Sequence, residues 1–392
     1  MSLAIRNGTL VLPDKTEAAN ILIENGRIAE ITKQRIDADD AIDAHGLFVL
    51  PGIIDSHVHF REPGQTQKED FRTGSMAAAA GGVTTILDMP NNRPPILTRK
   101  LLEGKRPLAQ KSIVNYGFHF GSSPSALDEL CPPGIASVKV FFDQSTGDLA
   151  ITDSAIIEQV FRRSRLITAH AEGGNAKLAA DISHNTKTPL SLCHVSSAQE
   201  AEVARTSKVL GAEACPHHLL LTEQDAQGPF TLMKPALKTR RDVDALWQAI
   251  RDGVITHISS DHAPHTREEK ESYNAPSGVP GVETLVPLML SCVSRRMLTL
   301  HDFVRLCSER PAAIFRLEGK GRIGMGAGDL TIVDLKATYR IKAENLHSKC
   351  GWTPYEGRAV QGAVTHTIVN GNLIYDRGTI NPVRAREVEY HA

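Results

Sequence analysis

The chain has 392 residues, 41% apolar and 23% charged, with 44 Lys+Arg against 45 Asp+Glu and a net charge of -1. This is the composition of an ordinary globular protein and excludes wholesale disorder, collagen and coiled coil. The balanced charge leaves no basic surplus for a nucleic acid or a membrane surface, so any steering of a small anion is local.

No run reaches the roughly 18 apolar residues of a membrane-spanning helix. The first residues, MSLAIRNGTLVLPDKTE, lack the charged start, apolar core and cleavage site of a signal peptide. Cys131, Cys193, Cys215, Cys292, Cys307 and Cys350 are scattered and form no CxxC pair. A reduced, cytoplasmic protein is expected.

The first fifty residues read as short strands. LAIRNGTLVL and NILIENGRIAEIT each hold an Asn-Gly pair between apolar runs, a strong hairpin signal. The pattern returns in GDLTIVDL and THTIVNGNLIYDRG near the end. The two β-rich ends are expected to pair as one discontinuous β-sandwich domain, residues 1–50 with 325–392.

The middle, 51–324, alternates. Strand-like runs lie near Ile53–His59, Val83–Met89, Val114–Phe120, Ser137–Phe142, Leu166–His170, Leu190–Val195, Gly211–Cys215 and Thr256–Asp261. Helical composition lies between most of them, as in Glu69–Ala80, Asp153–Ser164, Ala198–Leu210 and Asp242–Arg251. Eight such units fit an α/β fold of the (β/α)₈ TIM-barrel type better than an open doubly wound sheet. Almost every run ends in polar chemistry, where a barrel opens its βα loops.

His57 and His59 are two apart on a strand, so both face one side and suit a shared metal. Alone, such a pair is more often a partly exposed pair near a turn. His170, His194 and Asp261 each end a strand-like run, and each by itself reads as a structural residue or a cap. Four imidazoles and a carboxylate at one barrel mouth, however, are a ligand set for Zn²⁺ or another divalent ion. Lys139 lies inside the apolar run SVKVFF. It either reaches solvent along its stem, forms a Schiff base, or carries a CO₂-derived carbamate.

In order, PGIIDSHVHFREPG, LDMPNN, VKVFF, AHAE, CHVSS, CPHHL, SDHAPH and WTPYEGRAVQGAVTHTIVNG resemble the dihydroorotase branch of the cyclic amidohydrolases. The likeness is strongest to the type found as a domain of the multifunctional animal pyrimidine-synthesis protein. The resemblance implies reversible hydrolysis of L-dihydroorotate to N-carbamoyl-L-aspartate in pyrimidine synthesis, by a hydroxide held between two metal ions, usually zinc. It implies His57, His59 and Asp261 as ligands of one ion, His170 and His194 of the second, and carbamylated Lys139 as the bridge. Asp261 would also shuttle the proton. Arg61, Asn91 and His265 would hold the substrate's carboxylate and ring. Cys193 and Glu213 match places that help hold a third zinc in the animal-type enzymes.

Two stretches need comment. Residues 232–238, LMKPALK, depart from the family's NPPLR-like loop, and Met233 cannot supply an amide. Asp143–Asp148 sits where relatives carry a mobile loop, and suits either a lid or a connector. The expected partner is a small-molecule substrate, with no nucleic acid or membrane; a homodimer and an association with aspartate transcarbamoylase are further expectations. Rival functions are an allantoinase or hydantoinase, which need no grip on a ring carboxylate, and an inactive scaffold, which would lack metal ligands.

Overall fold

The computed structural model describes residues 2–144 and 149–391. Ser145–Asp148, the greater part of the expected lid or connector, lies outside the described residues. Five strands open the chain: β1 (Ser2–Val11), β2 (Thr16–Glu24), β3 (Arg27–Thr32), β4 (Asp40–Asp43) and β5 (Phe48–Pro51). Eight follow in the middle: β6 (Ile53–Val58), β7 (Val83–Asp88), β8 (Asn115–Gly121), β9 (Ser137–Phe141), β10 (Ile167–His170), β11 (Leu190–Leu192), β12 (Gly211–Ala214) and β13 (His257–Ile258). The last are β14 (Leu330–Arg340), β15 (Ala359–Val369), β16 (Asn372–Asp376) and β17 (Thr379–Ile380).

The middle eight form a parallel sheet in strict chain order. All their residues are buried, as expected where helices cover the outside and side chains fill the inside. The sheet curls until its edges meet: Val58 bridges His262, and the His59 amide donates to the His262 carbonyl at 2.8 Å. Each of the eight strand-like runs has its counterpart here. The connecting helices start on the caps their sequences carry, such as Asp70 before Phe71–Ala80, Ser197 before Ala198–Ser207 and Thr239 before Arg240–Arg251.

Strands from both ends build a second sheet of nine strands in the order β17-β16-β15-β14-β5-β1-β2-β3, with β4 also on β1. Asn25-Gly26 and Asn370-Gly371 are hairpin turns with positive φ at both residues, joining β2 to β3 and β15 to β16. Asn7-Gly8 is not a hairpin. It lies within β1, where the register against β2 slips between Ile5 and Gly8 and Asn7 takes φ 59°. The pair is spent on a bulge, because β1 runs straight on along β2. A Cβ at Gly8 would lie 2.7 Å from Val49 Cγ2.

Asp329 ties this sheet to the barrel. Its carboxylate accepts Asn115 Nδ2 at 3.0 Å from β8 and the Asn370 amide at 2.8 Å from the β15–β16 turn, and Asn370 Nδ2 returns to Asn115 Oδ1 at 2.7 Å. Asp329→Ala leaves buried donors unpaired and should cost about 1–3 kcal/mol. The check is urea unfolding, with a lower midpoint and an unchanged slope expected.

Candidate metal centre and anion pocket

One pocket, at the C-terminal ends of the barrel strands, is lined by His57, His59, Arg61, Asn91, Lys139, His170, His194 and Asp261, with Lys234, Ser277 and Gly278. All six candidate ligands of the two-ion centre and two of the three substrate candidates therefore meet there, whereas Cys193 and Glu213, the candidates for a third ion, are not part of its lining. His265, the third, lies directly behind Arg61, with its Nε2 3.2 Å from Arg61 Nη2. A roomier cavity lies at the opposite end of the barrel, beside Ala136, Leu166 and Leu210. Its lining supplies none of the groups of three clustered metal-ligating side chains found among the described residues, so it does not rival the first.

The ring orientations are decided by their outer partners. His57 Nδ1 lies 2.8 Å from Glu213 Oε1, and His59 Nδ1 lies 2.6 Å from Asn91 Oδ1. Both partner atoms accept, so each Nδ1 carries a proton; His59 Nε2 keeps its lone pair, and His57 Nε2 offers one once its second proton leaves. These two Nε2 atoms stand 3.3 and 3.2 Å from the same oxygen, Asp261 Oδ1. Two imidazoles and a carboxylate facing one point repel unless a proton or a metal ion lies among them, and a divalent ion fits, with outer partners of the usual kind. His57, His59 and Asp261 have ligand atoms within 4.8 Å of one another.

The charges agree. Burial by itself would lower the His57 pKa, but Glu213 and Asp261 overcome it and hold the pKa well above normal. Burial would likewise raise Asp261, yet His57 and His59 keep it far below the usual carboxylate range. The spot calls for positive charge. Burial pushes His59 down to about 4, leaving it the neutral imidazole a metal needs.

On the other side of the pocket, His170 Nδ1 and His194 Nε2 are 2.9 Å apart; His170 Nε2 lies 3.5 Å from Glu172 Oε1, and neither it nor buried His194 Nδ1 has a hydrogen bond among the described residues. Lys139 is 1% exposed, with Nζ 2.8 Å from Cys193 Sγ and no carboxylate ion pair among the described residues. Cys193 groups with His57 and His194 within the same 4.8 Å limit. Glu213 is already engaged by His57 Nδ1 and by the His194 amide at 2.9 Å.

Arg61, His194 and Asp261 all adopt left-handed backbone, with φ of 62°, 34° and 48°. Such strain persists only where surroundings over-determine it. Here Glu213 holds the His194 amide, and Asp55 Oδ1 holds the Ser260 amide at 3.0 Å just before Asp261.

Arg61 is 2% exposed. Its Nε donates to the Pro264 carbonyl at 3.1 Å, but Nη1 is a buried donor with no partner, and no carboxylate pairs with it among the described residues. Burial lowers its pKa only to about 10, so it keeps its charge at neutral pH. His265 Nε2 donates to the Ser277 carbonyl at 3.0 Å and its Nδ1 faces Lys68 Nζ at 3.1 Å. Burial, with Arg61 and Lys68 beside it, pushes His265 far down and keeps it neutral.

The sequence reading missed two lysines. Lys105 pairs with Asp88 at 2.5 Å and holds Met89 O and Asn92 Oδ1, which fixes the loop carrying Asn91. Lys234, not Met233, brings the 232–238 loop into the pocket. Met233 is buried with Leu237 and Trp352, and in extended chain its neighbour faces the other way. Lys234 Nζ donates to the Gln144 carbonyl at 3.0 Å. An apolar residue between an exposed leucine and a lysine was the available signal.

The profile of the Amidohydrolase family matches residues 48–374. The chain belongs to this family. It is 37% identical to the dihydroorotase of Methanosarcina acetivorans, over 96% of this chain and 92% of that one. It is 35% identical to the dihydroorotase of Pyrococcus furiosus, over 96% and 93%. Among solved structures, the L-hydantoinase (dihydropyrimidinase) of Arthrobacter aurescens superposes with a TM-score of 0.93 at 25% identity, covering 98% of this chain and 99% of that one. A D-hydantoinase gives 0.89 at 27% identity, with 99% of each chain covered.

Asn91 orients His59, so Asn91→Ala should weaken metal retention by about 10–100-fold, the usual effect of losing an outer partner. Metal content after stepwise chelation, compared with wild type, reads it out.

Proposed function

We infer that this chain catalyses the reversible hydrolysis of L-dihydroorotate to N-carbamoyl-L-aspartate, a step of pyrimidine synthesis. The single observation that carries the reading is Arg61: a buried guanidinium at the edge of the ligand cluster that, among the described residues, has no carboxylate partner and leaves its Nη1 donor without a hydrogen bond. A neutral cyclic ureide would leave that charge uncompensated, whereas a ring carboxylate answers it with a charge-assisted, bidentate contact. The dihydroorotases at 35–37% identity support the same substrate. The hydantoinase likeness supports the shared architecture and the hydrolysis of a cyclic amide.

In this reading His57, His59 and Asp261 hold one zinc ion and His170 and His194 a second, with Lys139 carbamylated between them. The carbamate suits Lys139 because the side chain is buried among imidazoles and has no anionic partner among the described residues. When bound, two such ions polarise the ring carbonyl and acidify the attacking water. The chain's own residues do the rest. Arg61 grips the carboxylate and orients the ring, with neutral His265 holding the wall behind it. Lys234 adds a second cation, suited to the extra carboxylate of the ring-opened form. Asp261 accepts the water's proton as the new C–O bond forms, then returns it to the ring nitrogen as the C–N bond breaks. Residues 1–50 and 325–392 form the composite β domain that carries the barrel of 51–324.

Arg61→Met should reduce kcat/KM for dihydroorotate by roughly one to two decades, the equivalent of about 1.5–3 kcal/mol for a bond to a charged group. Metal content should stay intact, and weak hydantoin turnover should be unaffected; equal losses on both substrates would remove Arg61 as the carboxylate reader. Asp261→Asn should lower kcat by at least about two orders of magnitude, the scale of a general acid–base contribution. Lys139→Ala should lose metal and activity with the circular dichroism of the fold retained, and mass spectrometry of the intact native chain should show the added CO₂ only in wild type.

A further inference from the structure

Cys215, His217 and His218 form a third group of ligand-type side chains, sharing no residue with the other two. They follow β12 in the run Cys215-Pro216-His217-His218, at the start of the short helix Pro216–Leu220. All three are buried, and their ligand atoms lie within 4.8 Å of one another.

The proton positions leave this group open toward its own centre. His218 Nε2 is 2.9 Å from the Pro235 carbonyl, which can only accept. The proton therefore sits on Nε2, and Nδ1 carries a lone pair; that Nδ1 is buried without a partner among the described residues. His217 Nε2 is likewise buried without a hydrogen-bond partner among the described residues. The two rings meet edge to face at 4.3 Å. The Cys215 thiol has only a long approach, 3.9 Å, to Glu213 Oε1. Two adjacent imidazole nitrogens without partners are costly to bury.

We propose that Cys215, His217 and His218 bind one further metal ion of the zinc class, separate from the centre at His57, His59, Lys139, His170, His194 and Asp261. A thiolate with two imidazoles suits a tetrahedral, borderline-soft ion such as Zn²⁺ or Co²⁺, and does not suit Mg²⁺ or Ca²⁺. Glu213 Oε1 beside the sulfur adds negative charge next to the ion. The consequence is structural. His218 also holds Pro235, so the ion would pin the end of β12 to the loop that delivers Lys234 to the substrate pocket. Because the group is buried, it loads as the chain folds.

The test is the full chain produced with Co²⁺ as the only added transition metal. A thiolate ligand gives a near-ultraviolet charge-transfer band that a centre built of imidazole, carboxylate and carbamate does not. Cys193 is the control, since it groups with His57 and His194. The expected result is a band in wild type and in Cys193→Ser, and its loss in Cys215→Ser together with one cobalt per chain. No band in wild type, or a band that disappears in Cys193→Ser and survives in Cys215→Ser, overturns the proposal. Should Cys215→Ser fail to fold, Cys193→Ser decides alone. Cys131, Cys292, Cys307 and Cys350 belong to no such group among the described residues, so a band persisting in that variant is assigned to Cys215, and its absence there overturns the site.

Discussion

The seam where β13 meets β6 is the constraint on which the site depends. The His59 amide bonds the His262 carbonyl, Ser56 and Ser259 hydroxyls meet at 2.7 Å, and Asp55 accepts the Ser260 amide. These contacts join residues about 200 positions apart and bring Asp261 against His57 and His59. Once the barrel closes there, two imidazole nitrogens and a carboxylate oxygen face one point, which draws positive charge to it. The left-handed turn at Asp261 is the local cost of aiming its carboxylate inward.

The other pocket wall is assembled from distant pieces. Lys270, wholly buried, donates to the carbonyls of Leu232, Pro276 and Gly278, at 3.1, 2.9 and 3.0 Å. Burial lowers its pKa only to about 8. Trp352, from the C-terminal segment, lies over that ammonium and donates Nε1 to the His265 carbonyl at 2.7 Å. Ser348 and Lys349 reach Glu69 beside the first barrel helix. The wall that presents Arg61 is thus braced by the segment that leads into β15, which couples the second sheet to the anion pocket. Among the described residues Arg61 has no carboxylate partner, and a buried cation of that kind costs stability until an anion answers it.

Much of this was legible along the chain. Parallel barrel strands are short apolar runs ending in polar residues, and caps and Asn-Gly turns are local signals, so the eight units and two hairpins could be read directly. The bulge at Asn7-Gly8 could not, because the same dipeptide serves a turn or a bulge according to whether the next residues have a partner strand to continue along. The ligand candidates were visible as strand-end histidines and one aspartate, since type and position are both written in order.

What the sequence by itself determined was the kind of chemistry and the strands that carry it: imidazole, carboxylate and lysine at the ends of successive apolar runs. Only the tertiary structure decided the tautomers and the direction of each lone pair, because these depend on partners such as Glu213 and Asn91 brought from other strands. It alone decided that Arg61 ends with a free buried donor, that Lys234 rather than Met233 faces the pocket, and that Cys215, His217 and His218 converge. Each is a matter of a few ångströms and of which buried atoms remain unpaired, and pairing is settled by strands and loops that meet only when the barrel closes.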